Sequence, residues 1–218
     1  MRLLIISDLH SAAANAEKLR EKLSNSKIDA ILLGGDLSNE GSVAIAREIV
    51  SALCFAEIFA VPGNMDSQEI VDFLKLKGIC LHREKKRLGE YTVIGFGGAK
   101  PVNTYYRLNL SELEAEKYLK KLSEGENPEK TILLSHCPPY GTKLSRTHSG
   151  IDLGVRAIRS FIEKFQPLLV VCGHVHEAAG VEKIGKTLCI NSGPLSEGFY
   201  AIAEIRGDGK IKVERSSL

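Results

Sequence analysis

Short apolar runs alternate with helical patterns along the first third of the chain. Runs of strand length lie at residues 3–7, 28–33 and 56–61. Segments with apolar residues at helical spacing lie between them, at 15–23 and 43–53. Ser67 is a favoured N-cap for a third helix that extends to Leu74. This alternation predicts parallel strands with helices packed on the faces of the sheet.

The pattern is less regular further along the chain. We predict strands at 91–96, 131–134 and 167–172, a helix that begins at Ser111 with a capping-box spacing to Glu114, and a helix over 151–165. Four short strands joined by glycine-containing turns follow, at 181–184, 187–190, 200–206 and 210–215. Consecutive short strands pair in antiparallel fashion, which predicts a mixed sheet or a second sheet. The sequence thus predicts one α/β domain over residues 1–218, with two sheets and helices outside.

Composition narrows the class of protein. The 218 residues are 44% hydrophobic and 26% charged, which is typical of a soluble globular chain. The apolar runs are much shorter than the roughly 20 residues that span a bilayer, and no secretory signal precedes the first strand, so we expect a cytoplasmic protein without a membrane partner. The five cysteines form no CxxC pair and are expected to be reduced. A net charge of +2 gives no basic patch by composition, and no nucleic-acid partner is expected.

Polar clusters follow five of the predicted strands. They contain carboxylate, amide and imidazole side chains: Asp8, His10, Asp36, Asn64, His136, His174 and His176. Each cluster alone is typical of a turn, a cap or a core histidine. Together, and in this order, they indicate one site, because ligands collect beyond the carboxyl ends of strands in open α/β sheets.

The residue types in these clusters indicate a metal site. Imidazole combined with carboxylate and amide oxygen suits Mn, Fe, Zn, Co or Ni better than Mg or Ca. Seven ligands exceed the share of one ion, so the sequence predicts two divalent ions in one pocket.

The clusters resemble the motifs of the calcineurin-like metallophosphoesterase superfamily. The family series D-x-H, GD, GN-x-[DE], H and GHxH is matched in order between Ser7 and about Gly193. The resemblance implies a four-layer αββα sandwich of two mixed sheets flanked by helices. It also implies two divalent metal ions, with Mn as the first choice and Ni, Co, Zn or Fe as alternatives.

The resemblance further implies a division of the ligands. The first ion would be held by Asp8, His10, Asp36 and His176. The second ion would be held by Asp36, Asn64, His136 and His174, so that Asp36 bridges the two. A water or hydroxide between the ions would attack phosphorus in line.

One position departs from the pattern of many family members, which have histidine where this chain has Met65. A thioether cannot donate a proton to a leaving group. General acid catalysis of that kind contributes roughly 10²–10⁴-fold. A substrate with a good leaving group would lose least from this difference.

Four polar residues outside the ligand set have weaker signals. Asp66 is predicted either to orient His10 as an outer acceptor or to cap the following helix. His148 or Arg146, in a polar loop, is predicted to contact the substrate phosphate, the alternative being an ordinary surface loop. His82 lies among charged residues and is expected to be exposed.

These features predict a phosphodiesterase that acts on a small-molecule phosphate ester with a good leaving group. A phosphomonoesterase or nucleotidase is the enzymatic alternative, which Met65 disfavours. A non-catalytic metal-binding scaffold of the same fold is a further alternative, and a DNA nuclease is a weaker one. A homo-oligomer is compatible with the resemblance. Gly97–Gly98 and Tyr105–Arg107 are candidates for the pocket rim, although an ordinary loop is the simpler interpretation.

Overall fold

The structure is a computed structural model that describes residues 1–101 and 107–218. Tyr105 and Tyr106, two of the predicted rim residues, lie outside these ranges. The helices of the described residues are α1 (Ala13–Leu23), α2 (Val43–Ala52), α3 (Gln68–Leu76), α4 (Glu112–Ser123) and α5 (Arg156–Phe165). The strands are β1 (Arg2–Ile6), β2 (Ala30–Leu33), β3 (Glu57–Ala60), β4 (Glu84–Leu88), β5 (Tyr91–Phe96), β6 (Thr131–Ser135), β7 (Leu169–Cys172), β8 (Gly180–Ile184), β9 (Thr187–Asn191), β10 (Phe199–Ile205) and β11 (Ile211–Ser217).

The strands form two mixed sheets. The first has the order β11-β10-β1-β2-β3, and the second has the order β4-β5-β6-β7-β9-β8. Within the first sheet β1, β2 and β3 are parallel, whereas β10 and β11 pair antiparallel. Within the second sheet the central strands β5, β6, β7 and β9 are parallel, and β4 and β8 are antiparallel edge strands. The prediction of mixed sheets is therefore confirmed.

Three apolar cores separate four layers. Because successive strand residues point to opposite faces, Leu4 and Ile6 of β1 pack among residues of α1–α3, whereas Leu3 and Ile5 pack between the two sheets. A third core lies between the second sheet and the helices α4 and α5. Complete burial of one such side chain stabilises the fold by about 1.5–3 kcal/mol. This arrangement is the predicted αββα sandwich.

Two elements differ from the sequence prediction. Helix α5 begins at Arg156 and not at residue 151. The carboxylate of Asp152 instead accepts hydrogen bonds from the Gly141 and Gly154 main chain, which closes a loop. Strand β4 was not predicted, because its sequence is mostly charged, and it pairs with β5 at the edge of the second sheet.

The parallel strands place the polar clusters at one end of the sandwich. Asp8, Asp36 and Asn64 follow the ends of β1, β2 and β3, and His136 and His174 follow the ends of β6 and β7. The carboxyl ends of both sheets therefore share a single site. Among the described residues, no helix has the length and apolar character required to cross a membrane.

Candidate metal centre

The loops that carry the clustered polar residues have unusual backbone conformations. Asp8, His10, Asp36 and His174 have φ values of 55°, 46°, 53° and 70°. Residues other than glycine rarely adopt such angles, and strained backbone of this kind concentrates at functional sites. These conformations accompany the convergence of the side chains beyond the strand ends.

Two glycines allow the loops to approach one another. A Cβ atom on Gly63 would overlap the carboxylate of Asp36, and one on Gly173 would overlap Asp8 and Ser7. Any larger residue at these positions would push the carboxylates out of the site. The glycines that precede Asn64 and His174 in the motifs thus have a packing role.

The part of the site nearer to solvent contains His10 and His176, which we call the outer half. Their Nε2 atoms lie 3.0 Å apart. Oδ1 of Asp8 lies 3.8 Å from His10 Nε2 and 3.4 Å from His176 Nε2. Both oxygens of Asp8 also accept the His174 main-chain N–H, at 3.2 and 3.0 Å.

The deeper part contains Asn64, His136 and His174, which we call the inner half. His136 Nε2 lies 2.9 Å from Asn64 Oδ1, and the rings of His136 and His174 lie 5.0 Å apart. Oδ2 of Asp36 lies 3.6 Å from His136 Nε2 and 3.8 Å from His10 Nε2. Asp36 is therefore located between the two halves.

Hydrogen-bond acceptors converge inside the site. His136 Nδ1 lies 2.7 Å from the Gly34 carbonyl, so Nδ1 carries the proton and the Nε2 of a neutral ring presents a lone pair. That lone pair faces Asn64 Oδ1 and Asp36 Oδ2, which are themselves acceptors. Positive charge among these atoms, either as protons or as a bound cation, stabilises such an arrangement. The donor set fits divalent transition metals, and two overlapping groups have ligand atoms within 4.8 Å of one another, namely Asp8 with His10 and His176, and Asp8 with Asp36 and His136.

The surroundings of these side chains shift their pKa values in different directions. Burial raises the pKa of Asp36 to about 6, with a further increase from the negative charge of Asp8, against the opposing charge of His136. Burial also acts to raise the pKa of Asp8, but the hydrogen bond from His176 and the charge of His136 outweigh it and leave that pKa well below its ordinary value. Burial lowers the pKa of His174 to about 3, and the charge of His136 adds to this effect. His174 is therefore a neutral imidazole, the form that ligates metals.

The structure contradicts the prediction that Asp66 orients His10. The Asp66 carboxylate is fully buried and accepts the main-chain N–H groups of Leu37 at 2.8 Å, Ser38 at 3.3 Å and Gly63 at 2.8 Å. It also does not cap the following helix, because the Ser67 side chain accepts the Ile70 N–H there. Asp66 instead ties the Asp36 loop to the Asn64 loop, and burial together with the charge of Asp36 raises its pKa to about 7.

Two neighbouring side chains have contacts that the sequence analysis missed. The partner of the His10 ring is Asn39, whose Oδ1 lies 2.6 Å from His10 Nδ1. His82, expected to be exposed, is partly buried and accepts the Gly97 N–H at 2.9 Å through Nδ1. Neither residue belongs to a motif, and a lone asparagine in a loop gives no signal of its partner in the sequence.

The residues suggested as substrate contacts lie on exposed loops. His148 is exposed, and its main-chain N–H donates to Glu177 at 3.2 Å. This hydrogen bond places the loop of Arg146 and His148 beside His176, which immediately precedes Glu177. Arg107 is also exposed, and its main-chain N–H donates to the carbonyl of Asn64 at 2.7 Å. Both loops therefore border the site.

The turn that follows β9 in the second sheet forms hydrogen bonds to the loops that carry the clustered polar residues. Asn191 Nδ2 donates to the carbonyl of Val175, the residue between His174 and His176, at 2.9 Å. The Leu195 N–H donates to the carbonyl of Ser7 at 2.9 Å, beside Asp8. Asn191 and Leu195, at the two ends of this turn, thus contact the loops of both motifs.

Comparisons with known proteins agree with the geometry. The sequence profile of the family described as calcineurin-like phosphoesterase matches residues 1–178. The chain is 28% identical over 207 residues to an uncharacterized protein of Methanocaldococcus jannaschii, with 92% of this chain and 91% of that protein covered. It is 22% identical over 175 residues to a probable cyclic nucleotide phosphodiesterase of Vesicomyosocius okutanii, with 78% and 72% covered.

A solved structure supports the same assignment of the fold. A protein of Thermus thermophilus superposes with a TM-score of 0.73 at 24% identity, with 98% of this chain and 97% of that chain covered. The profile match spans most of the chain, so the chain belongs to the calcineurin-like phosphoesterase family. It is therefore placed among hydrolases of phosphoric esters that use divalent metal ions, and the resemblance seen in the sequence is confirmed.

Proposed function

We propose that this chain is a phosphodiesterase that uses two divalent ions to hydrolyse a small-molecule phosphate ester. The observation that carries the proposal is the convergence of acceptor atoms around Asp36. Its Oδ2 lies within 3.8 Å of histidine nitrogens from both halves of the site. A carboxylate oxygen in that position is suited to bridge two cations.

The proposed ligands follow the two halves. Asp8, His10, Asp36 and His176 would hold one ion, and Asp36, Asn64, His136 and His174 would hold the other. When bound, two such ions supply an activated water for attack on phosphorus and neutralise the charge of the phosphate. Mn²⁺ is our first choice, with Ni²⁺, Co²⁺, Zn²⁺ and Fe²⁺ as alternatives of similar ligand preference.

The residues of the chain position these ligands before any substrate binds. The Met65 main-chain N–H donates to Asp36 Oδ1 at 2.8 Å, which leaves Oδ2 directed at the two histidines. The Asp66 carboxylate holds the two loops together, because it accepts the N–H groups of Leu37, next to Asp36, and of Gly63, next to Asn64. These contacts reduce the reorganisation that the site requires during the reaction.

The preference for diesters rests on Met65. Met65 is half-buried and occupies the motif position at which many family members have histidine. A thioether cannot donate a proton to a leaving group. Esters whose leaving groups are stable as anions suffer least from this loss. The likeness to a protein named as a probable cyclic nucleotide phosphodiesterase points in the same direction.

Turnover of bis-p-nitrophenyl phosphate and p-nitrophenyl phosphate, measured side by side, tests the proposal. Metal-stripped protein would receive Mn²⁺, Ni²⁺, Co²⁺, Zn²⁺ or Mg²⁺, with Asp36→Asn as the control variant. We expect metal-dependent hydrolysis of the diester that Asp36→Asn reduces to background. Faster hydrolysis of the monoester would favour a phosphomonoesterase, and binding of two ions without turnover would favour a scaffold.

A further inference from the structure

The outer half of the centre depends on a side chain that none of the five motifs contains. Asn39 lies three residues after Asp36, in the loop that follows β2, and is exposed. Its Oδ1 lies 2.6 Å from His10 Nδ1. Its Nδ2 donates to the main-chain carbonyl of His10 at 3.2 Å. A single amide therefore contacts both the ring and the backbone of one proposed ligand.

We infer that Asn39 is a positioning residue that sets the tautomer of His10, an inference that rests on the proposed function of the metal centre. The His10 carbonyl can only accept a hydrogen bond, so the donor end of the amide, Nδ2, must face it. The acceptor end, Oδ1, then faces ring atom Nδ1, which must carry the proton. The neutral ring of His10 is thereby left with its lone pair on Nε2.

That lone pair faces the place where the outer ion would bind. His10 Nε2 lies 3.8 Å from Asp8 Oδ1, 3.8 Å from Asp36 Oδ2 and 3.0 Å from His176 Nε2. A ligating histidine depends on the partner of its other nitrogen for ring orientation, and loss of that partner typically weakens metal binding by about 10–100-fold. Asn39 is thus placed to control the outer ion without ligating it.

His136 of the inner half is oriented in a different way. The partner of its Nδ1 atom is the main-chain carbonyl of Gly34, which no substitution removes. Loss of Asn39 should therefore weaken the outer ion and leave the inner ion unchanged. A general loosening of the fold would instead weaken both ions, so the two explanations give different results.

Nitrogen-15 NMR of the histidine rings in the metal-free full-length protein tests the tautomer directly. At a pH above the ordinary histidine pKa, we expect His10, assigned by comparison with His10→Gln, to carry its proton on Nδ1. In Asn39→Leu we expect loss of that preference, and in Asn39→Asp we expect its return, because a carboxylate also accepts from Nδ1. A proton on Nε2 in the unsubstituted protein would overturn the inference.

Calorimetric titration with Mn²⁺ tests the consequence for metal binding. We expect Asn39→Leu to weaken one of two ions by about 10–100-fold, Asn39→Asp to restore its affinity, and Glu40→Ala, a change at the adjacent exposed residue, to have no effect. Unchanged binding of both ions by Asn39→Leu would contradict the inference and leave the proposed function intact. If the unsubstituted protein bound no ion, the proposed function would fail, and the NMR result would still decide the tautomer of His10.

Discussion

The side chains in the two halves of the candidate metal centre are held in different ways. In the inner half, His136 is completely buried and its ring is held by a main-chain carbonyl, while the Asn64 side chain is also buried. In the outer half, the side chains of His10 and His176 are 16% and 35% exposed, and the His10 ring is held by an exposed side chain. The main chain thus holds the His136 ring of the inner half, whereas an exposed loop side chain holds the His10 ring of the outer half.

Because of this difference, the side chains of the two halves should contribute unequally to the stability of the fold. A buried side chain held by the backbone, such as His136, contributes to the stability of the fold, since its removal leaves a cavity and an unpaired carbonyl. A partly exposed side chain held by a loop residue, such as His10, contributes little to the core, so its substitution should have little effect on fold stability. Substitutions in the two halves should therefore affect different measurements.

Removal of one histidine from each half gives the largest expected contrast. We expect His136→Ala to destabilise the metal-free protein by about 2–4 kcal/mol, because it creates a cavity and leaves the Gly34 carbonyl without its partner. We expect His176→Ala to cost less, about 1 kcal/mol, since that side chain is partly exposed and Asp8 keeps the His174 main-chain N–H as a donor. Urea unfolding of both metal-free variants measures this contrast, and equal losses would show that the halves do not differ in this respect.

The pH dependence of the free energy of unfolding should report on His82, whose hydrogen bond lies near the inner half. His82 accepts the Gly97 N–H, and the adjacent Gly98 N–H donates to the Pro62 carbonyl, just before the Asn64 motif. Burial lowers the pKa of His82 from 6.5 to about 4, and the charge of Arg83 acts in the same direction. Below pH 6.5 the unfolded chain takes up a proton that the folded protein accepts only near pH 4.

The stabilising effect of neutral His82 is consequently complete above pH 6.5 and is lost as the pH falls towards 4. The expected loss is at most about 3 kcal/mol. The carboxylates of the candidate metal site also titrate in this interval. The quantity to measure is therefore the difference in free energy of unfolding between the unsubstituted protein and His82→Asn, which keeps an acceptor for the Gly97 N–H. Parallel stability curves for the two proteins would contradict this assignment.

The smallest expected effect concerns the loop beside the outer half. We expect His148→Ala to raise KM for bis-p-nitrophenyl phosphate about five-fold, the equivalent of one hydrogen bond of roughly 1 kcal/mol. Ser149→Ala, in the same loop, is the matched control and should behave as the unsubstituted protein. If His148→Ala leaves both KM and the pH profile unchanged, His148 is a surface residue without contact to substrate.

The sequence alone determined the architecture and predicted the set of candidate ligands. Residue types decide which chemistry is possible, and a carboxylate or imidazole placed directly after an apolar strand is confined to the carboxyl end of the sheet. Asp8, Asp36 and His136 could therefore be assigned to one pocket without coordinates. The αββα layering followed from the motif resemblance together with the periodicity of the apolar residues, which reports the burial of each face.

Only the tertiary structure decided the partners of these residues. Asp66 bonds to main-chain N–H groups, Asn39 contacts His10, and His82 supports Gly97, each through residues distant in sequence. Likewise, β4 becomes a strand through pairing with β5, although its charged sequence lacks a strand pattern. Local propensity and periodicity indicate which face of a helix or strand is buried. The hydrogen-bond partner of a side chain instead depends on where distant loops meet. The sequence therefore determined which residues form the site, and the packing of the loops determined how each is held.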